Sequence, residues 1–329
     1  MNNFLTQSFF GQIFSFRKPS IIFPTKIGQY TLVNKIRPEG KAVSDLFATY
    51  KDETGNLFFA KQSNPDKFNP IDFWFRSEIS THKAISDIYY DNLSEFTYEF
   101  PRIKISKFAL SYKDKECFLL LSDMVTGKPI ETLPTSAQLD VIEEAFSFLN
   151  YFKKFINTSN ENQFTKRKGL YFIRMAPIII LTAILRHPSQ IKQILQTSWK
   201  FIINIPFLLR NQNYSIVHRD INSENIIYGD DGKFYIIDFE IAVLSYPIIE
   251  MVHLVLNYWE DSESINQLLK TKMFKNIMEN NISRRLYSIF TLYTAILNLF
   301  MSPKCFSQRN KEYLENKYIQ YANSLDIKT

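Results

Sequence analysis

Cysteine, histidine and glycine are scarce in this chain of 329 residues, and each shortage excludes a class of protein. Only Cys117 and Cys305 are present, so a disulfide framework is excluded and free thiols in a reducing compartment are expected. Four histidines and two cysteines leave no zinc site of the usual spacing. With 8 glycines, the chain also has few positions for a glycine-rich turn.

The total numbers of basic and acidic residues are nearly balanced. Its 39 Lys and Arg against 33 Asp and Glu give a net charge of +6, which suits anionic ligands or a membrane surface. That excess is too weak to predict a nucleic-acid partner. The opening MNNFLTQSFFGQIFSF has no basic region followed by an apolar run and a cleavage site. We therefore expect no secretory signal and a cytoplasmic location. A peripheral position at the inner face of the membrane is compatible with that location.

Two apolar stretches are long enough to be checked against the ~17–25 residues that a membrane-spanning helix needs. Eleven uncharged residues lie between Arg174 and Arg186, broken by Pro177, and these are too few to span. Seventeen lie between Arg285 and Pro303, diluted by Ser, Thr and Asn. The second stretch therefore predicts a buried helix.

The first 125 residues read as a small sheet that carries one helix. Apolar and β-branched residues bounded by turn residues predict strands, and apolar residues at three- and four-residue steps predict a helix. The strands are at 30–36, 45–51 and 56–62, the helix is at about 72–90, and further strand-like pieces are at 101–112 and 117–125.

Helical patterns dominate after Gly127. Thr135 and Gln138 form a capping-box pattern that opens one helix, and Pro188 opens another. A β-rich patch at 215–238 precedes a helical region from about residue 248. Strands first and helices later predict an α+β fold in two lobes.

The most informative string is SIVHRDINSENIIYGDDGKFYIIDFE, residues 215–240. Two strands joined by the turn GDDG would bring Asp220, Asn225 and Asp238 to the same end of a hairpin. Three oxygen donors at one place suit a hard divalent cation and a hydroxyl nucleophile. The alternative is a hairpin whose polar residues only satisfy a turn.

This string resembles the catalytic signature of protein kinases, in which His-Arg-Asp is followed by Asn five residues later and then by Asp-Phe-Gly. The matching residues are His218, Arg219, Asp220 and Asn225, then Asp238, Phe239 and Glu240. The resemblance implies that Asp220 accepts the proton of the acceptor hydroxyl. It also implies that Asn225 and Asp238 hold Mg²⁺.

Upstream residues extend the resemblance. Lys61 ends an apolar strand, and Glu78 lies in the helix that follows, like the lysine–glutamate pair of kinases that contacts the α- and β-phosphates of ATP. The alternative is a surface lysine and an unrelated glutamate. Residues 118–125 resemble the strand and hinge of an adenine pocket, with backbone groups from Asp123 to Val125 against the base.

The predicted phosphate loop departs from the protein-kinase pattern. Residues 37–45, RPEGKAVSD, contain Gly40 alone where protein kinases have three glycines. The remaining candidates for phosphate contacts are the backbone amides from Ala42 to Ser44 and the Ser44 hydroxyl. A degenerate loop with poor nucleotide binding is the alternative, and a pseudokinase that serves as a binding module would follow from it.

Two further departures point to another branch of the superfamily. Glu240 replaces the glycine of Asp-Phe-Gly, and a helix begins near Pro247 without room for a long activation segment. Both resemble the aminoglycoside phosphotransferase and choline kinase branch, which often has an Asp in that helix, roughly where this chain has Glu250. Arg219 instead favours a Ser/Thr protein kinase, which stays open as an alternative.

The resemblance covers residues 30–300 and implies a two-lobed protein-kinase-like fold. It implies an extension at 1–28, a nucleotide-binding lobe at 29–125, and a catalytic lobe at 126–329 with a helical insertion at about 157–213. The implied reaction is transfer of the γ-phosphate of ATP to the hydroxyl of a small molecule, sugar or glycolipid-like acceptor, with Mg²⁺. The oligomeric state stays open.

Residues 157–213 have an unusual composition for an acceptor-binding segment. A basic entry at Lys166–Lys168 precedes two apolar runs, and no Asp or Glu occurs from Phe164 to Arg210. A cationic acceptor would want carboxylates, so we expect an anionic or amphiphilic one, presented at a membrane surface. The alternative is that these helices only complete the core of the second lobe.

Overall fold

The computed structural model describes residues 23–36, 46–63, 70–114, 118–239, 241–301 and 311–325. The chain forms two compact units. The first contains residues 1–132, 157–165 and 223–242, and the second contains residues 133–156, 166–222 and 243–329. Glu240 and the predicted phosphate loop with Ser44 lie outside the described residues.

The first unit contains a six-stranded antiparallel sheet in the order β1-β2-β3-β4-β7-β6. Aromatic and aliphatic side chains from alternate strand positions form its core, among them Tyr50, Phe58 and Leu119. The strands are β1 (Lys26–Ile27), β2 (Tyr30–Ile36), β3 (Leu46–Lys51), β4 (Leu57–Ser63), β6 (Phe108–Lys113) and β7 (Phe118–Asp123).

A long helix packs against this sheet. Helix α1 (Pro70–Asp91) contacts the sheet through Ile79, which lies with Phe118 and Leu120 of β7. A shorter helix, α2 (Leu93–Glu99), follows it. These elements confirm the predicted small sheet with one long helix.

A second sheet in the first unit joins segments that are far apart in the sequence. Its strand order is β5-β11-β10-β8. Strands β10 and β11 form the predicted hairpin, and β11 pairs in parallel with β5. Backbone pairing with β5 and β8 therefore places residues 223–242 in the first unit, although the sequence predicts them in the second lobe. The strands are β5 (Ile103–Ile105), β8 (Gly127–Pro129), β10 (Ile226–Gly229) and β11 (Phe234–Ile236).

The second unit is mainly helical and has one long buried helix. Helix α10 (Asn281–Met301) covers the stretch predicted to be a buried helix, and most of its residues from Leu286 to Leu299 are buried. Two short strands pair antiparallel, β9 (Ser215–Val217) with β12 (Val243–Ser245). The other helices are α3 (Thr135–Tyr151), α4 (Gly169–Arg186), α5 (Ile191–Ile203), α6 (Ile205–Arg210), α7 (Ile248–Asn257), α8 (Ser262–Leu268), α9 (Lys272–Glu279) and α11 (Lys311–Ser324).

Two local predictions are wrong. Thr135 is the first residue of its helix and not the N-cap, because Pro134 occupies the N-cap position, and the Gln138 side chain donates to the Leu133 carbonyl at 2.7 Å. Helix α4 is longer than the uncharged run suggests, since it continues through Arg174. With 18 residues and a mean hydropathy of 1.6, α4 is long and apolar enough to cross a membrane by length and composition, and 28% of it is buried.

Candidate active site

Lys61 is the centre of a charged cluster in the first unit. Its Nζ atom lies 3.2 Å from Glu78 Oε1 and 3.5 Å from Asp238 Oδ1. Only 7% of the Lys61 side chain and 3% of the Glu78 side chain are exposed, whereas 38% of the Asp238 side chain is exposed. A buried ammonium is costly unless it is paired. The structure therefore brings together the predicted lysine–glutamate pair and adds an accessible carboxylate to it.

Asn225 and Asp238 lie at the open end of the β10–β11 hairpin. Ile226 pairs with Ile236, and the N–H of Ile237 donates to the carbonyl of Asn225 at 3.1 Å. Asp238 has a φ of 60°, a left-handed conformation that few residues other than glycine adopt. Such conformations concentrate at functional sites, where the surrounding structure holds the strain.

The donors at this end of the hairpin suit a metal ion that arrives with a nucleotide. Among the residues that the structure describes, no group of three or more His, Cys, Asp or Glu could hold a metal ion. Mg²⁺ is usually bound through one or two carboxylates together with substrate phosphates and water. The Asp238 carboxylate and the Asn225 amide oxygen are ligands of the kind that a protein supplies to Mg²⁺ when phosphates and water supply the others.

His82 supports the residue that follows Asp238. It is buried, its Nε2 lies 3.0 Å from the Ser106 carbonyl, and its ring centroid lies 5.3 Å from that of Phe239. Burial lowers the pKa of His82, and the Ser106 carbonyl and Asp238 oppose this effect. His82 is therefore a neutral packing residue.

The predicted adenine-binding segment is the end of an inner strand. The N–H of Asp123 donates to the Lys107 carbonyl at 2.8 Å, and the N–H of Met124 donates to the Leu57 carbonyl at 3.1 Å. Burial raises the pKa of the Asp123 carboxyl. Val125 follows the strand and is partly exposed. The backbone is thus held in place at the predicted base-binding position, which stays a prediction.

In the second unit, a buried carboxylate holds the loop that carries Asp220. Both carboxylate oxygens of Glu250 accept the N–H of Arg219, at 3.0 and 3.1 Å, and Oε1 also accepts the N–H of His218. Burial raises the pKa of Glu250 to about 8, while these backbone donors and the Arg219 charge lower it. Arg219 has a φ of 69°, so the loop is strained where the carboxylate binds it.

Further contacts fix the other side of this loop. Nδ1 of His253 lies 2.7 Å from the carbonyl of Arg219, and burial lowers the pKa of His253 to about 4. A neutral imidazole therefore donates to that carbonyl. The side chain of Asn222 donates to Asp220 Oδ1 at 2.9 Å, which orients the partly exposed carboxylate.

Sequence reasoning does not find the contact of His253 with the loop. The signal available was its position three residues after Glu250, on the same helix, α7. Residues at this spacing lie on one face of a helix, so both can reach one loop.

Comparison with known proteins gives a family match over part of the chain. The model of the phosphotransferase enzyme family APH matches residues 179–272, which include the Asp220 loop and the β10–β11 hairpin. No curated protein is similar enough in sequence to match the chain.

Solved structures match over most of the chain at low sequence identity. Spectinomycin phosphotransferase APH(9)-Ia, in complex with ADP and spectinomycin, has a TM-score of 0.54 at 10% identity and covers 90% of this chain and 93% of its own. Aminoglycoside phosphotransferase APH(4)-Ia, with ADP and hygromycin B, has a TM-score of 0.57 at 10% identity, covering 91% and 96%. Amicoumacin kinase hAmiN, with AMP-PNP and Ca²⁺, has a TM-score of 0.55 at 12% identity, covering 91% and 89%.

These matches confirm the predicted α+β fold with a sheet-containing unit and a helical unit. They also confirm the resemblance that the motif at 215–240 indicates, since the family model spans that motif. The chain therefore has a two-lobed, protein-kinase-like fold, and its residues 179–272 are similar to the phosphotransferase enzyme family.

Proposed function

We propose that the chain transfers the γ-phosphoryl group of ATP to a hydroxyl group of a small-molecule acceptor. The observation that carries the proposal is the Lys61 ammonium, buried and paired with Glu78 while it also contacts the accessible Asp238. A purely structural ion pair would not need a third, solvent-facing carboxylate in a strained backbone conformation. A nucleotide-binding role explains all three residues.

Each of these residues has a separate task in the proposed reaction. Glu78 holds Lys61, whose ammonium contacts the α- and β-phosphates. Asn225 and Asp238 would hold Mg²⁺, which neutralises phosphate charge when it is bound. The backbone from Asp123 to Val125 contacts the adenine.

Asp220 is the proposed base on the acceptor side. It accepts the hydroxyl proton as the acceptor oxygen bonds to the γ-phosphorus, and the bond from that phosphorus to the β-phosphate oxygen breaks to release ADP. Glu250 and His253 position Asp220 through the backbone of Arg219, and Asn222 orients its carboxylate.

The acceptor class is the finer part of the proposal. No Asp or Glu occurs from Phe164 to Arg210, a segment that includes helices α4 and α5. A polycationic acceptor binds best beside carboxylates, so an anionic or amphiphilic acceptor fits this segment better. We propose a cytoplasmic enzyme, because ATP is the donor, and a lipid-like acceptor would bring it to the inner membrane face.

Nucleotide binding is the first test. Calorimetry with MgATP should show binding by the wild type, and Asp238→Ala should lose the metal-dependent part of the affinity. Asp230→Ala is the matched control, because Asp230 is exposed in the turn of the same hairpin. Absence of MgATP binding by the wild type would refute the proposal and favour a pseudokinase.

Acceptor choice is the second test. ADP release should be measured with panels of sugars, amino alcohols, anionic metabolites and hydroxylated lipids in micelles, beside a generic protein substrate. We expect turnover with anionic or amphiphilic hydroxyl compounds. Turnover with the protein substrate alone would instead establish a protein kinase.

A further inference from the structure

Helix α4 exposes a mainly apolar face, which Arg174 interrupts. Its outward residues Leu170, Ile178, Leu181 and Leu185 recur at steps of three, four and eight, which places them on one side of the helix. Leu185 is 72% exposed. The opposite face is buried through Phe172, Ala176, Ile179 and Ala183. The helix thus has large apolar residues on both faces, and only the face that contains Phe172 is buried.

Helix α5 repeats this arrangement. Its residues Ile191, Leu195, Trp199 and Ile202 are exposed, with Trp199 at 65%. Its buried face contains Ile194, Thr197, Ser198 and Phe201. Single exposed apolar residues are common on protein surfaces, but they do not explain a row of four on one helix face.

The two exposed faces belong to one surface of the second unit. Helices α4 and α5 contact each other, and both pack on α10. Phe172 of α4 lies 5.0 Å from the ring of Phe290, and Phe201 of α5 lies 5.5 Å from that of Tyr293. Since both helices turn their buried faces to α10, their apolar outer faces lie on the side away from it. We call this apolar surface of α4 and α5 the outer surface.

The segment that contains α4 and α5 has charged residues of one sign only. Of the 39 basic residues in the chain, 8 lie between Phe164 and Arg210, and none of the 33 acidic residues does. The rest of the chain therefore has a net charge of −2, so the positive charge of the protein is concentrated here. Arg174 of α4 and Lys192 of α5 are exposed on the two helices. The eight are Lys166, Arg167, Lys168, Arg174, Arg186, Lys192, Lys200 and Arg210.

We propose that the outer surface docks on an anionic lipid bilayer, with α4 and α5 lying in the plane of the interface. Apolar residues with a tryptophan would enter the boundary between headgroups and acyl chains, while basic residues pair with anionic headgroups. Helix α4 does not cross the bilayer in this arrangement, because Phe172 and its buried neighbours stay packed on α10. An uncharged apolar partner would leave the absence of acidic residues unexplained. The inference does not depend on phosphotransfer.

Vesicle sedimentation tests the charge requirement. The wild type should pellet with vesicles of phosphatidylcholine and phosphatidylglycerol, bind vesicles of phosphatidylcholine alone far more weakly, and be released by high salt. Arg174→Gln with Lys192→Gln should weaken partitioning by about 30-fold, from roughly 1 kcal/mol for each basic residue at an anionic surface. Lys270→Gln with Lys275→Gln removes two exposed lysines elsewhere in the same unit and should bind like the wild type.

Tryptophan fluorescence tests the insertion itself. Anionic vesicles should shift the emission to the blue, and brominated lipids should quench it. Trp199→Phe, which keeps an aromatic residue, should lose both signals while it still pellets. Tyr98→Phe is the aromatic control at another exposed position and should keep both.

Three results would overturn the proposal. The wild type could fail to bind anionic vesicles, or the Arg174/Lys192 variant could bind them as well as the Lys270/Lys275 variant does. Concentration-dependent dimerisation that buries Trp199 without lipid, followed by sedimentation velocity, would instead assign the outer surface to a second copy of the chain.

Discussion

The backbone N–H of Arg219 is held by both carboxylate oxygens of Glu250, at 3.0 and 3.1 Å. Glu250 belongs to helix α7, and Arg219 directly precedes Asp220. A loop residue with a positive φ is thus fixed from a rigid helix rather than from its own neighbours. The position of the proposed base depends on a side chain thirty residues further along the chain.

We expect Glu250→Ala to lower turnover strongly and to leave nucleotide affinity nearly unchanged. The variant leaves buried N–H groups of His218 and Arg219 without their acceptor, which costs about 1–3 kcal/mol for each group. Loss of about 10²-fold in kcat is the scale for a misplaced catalytic group. Steady-state kinetics and calorimetry with MgATP check this, with the exposed Glu279→Ala as control. An equal loss of ATP affinity would contradict a role confined to the Asp220 loop.

The stability of the protein should depend on the protonation of Glu250. Its pKa is about 8 in the folded protein, above the usual value of 4.5, so the folded state binds this proton more tightly than the unfolded state. The contribution of Glu250 to the free energy of unfolding is therefore greatest at low pH and falls as pH rises from about 5 to 8. Glu250→Gln removes this titration.

Chemical denaturation of both proteins at several pH values measures the effect. The free energy of unfolding of the wild type, minus that of Glu250→Gln, should decrease as pH rises through this range. The subtraction removes the contribution of His82 and other groups that titrate in both proteins. A difference that is constant or rises with pH would show that Glu250 is ionised throughout.

Asp220→Asn should reduce turnover by about 10²–10⁴-fold, the usual scale for loss of a general base. The amide keeps the shape of the side chain and its contact with Asn222, so folding should be preserved. Binding of MgATP should hardly change, because Asp220 has no proposed contact with the nucleotide. Single-turnover phosphoryl transfer gives the rate, and unchanged turnover would remove Asp220 from its proposed role.

Gly127→Ala should destabilise the first unit much more than Gly55→Ala. Both glycines have a positive φ, 151° and 91°, but a Cβ at Gly127 would collide with the backbone of Tyr228 and Gly229, whereas a Cβ at Gly55 meets open space. The first variant combines backbone strain with disruption of the β8–β10 pairing, and the second has strain alone. Urea denaturation compares them, and equal losses would show that strain explains both.

Local sequence patterns predict the elements of the fold better than their partners. Strand β4 and helix α1 are predictable because apolar residues repeat at the strand and helix periods, and this places Lys61 and Glu78 on elements that can meet. The contact of Lys61 with Asp238 is a long-range consequence of the parallel pairing of β11 with β5, which no local pattern indicates. The role of His253 depends in the same way on the backbone path of a distant loop.

Some errors in the prediction have local causes. The Thr135 pattern fits a capping box, but Pro134 takes the position before the helix and leaves Gln138 to bind the Leu133 carbonyl. A charged residue on the exposed face of a helix does not end it, and α4 continues through Arg174. The number of uncharged residues in a row therefore underestimates the length of this helix. Whether an apolar helix face is exposed depends on tertiary packing. In the sequence, the apolar outer faces of α4 and α5 therefore cannot be distinguished from buried faces.

The pairing of Phe234 with Ile103 has a consequence for synthesis on the ribosome. Strand β5 cannot acquire its neighbour β11 until more than two thirds of the 329 residues have been translated. Until then the nascent chain presents the unpaired edge of β5, a template for pairing with other chains. The first unit is therefore completed late, and a fragment that stops at residue 132 would lack β10 and β11, the two inner strands of its second sheet.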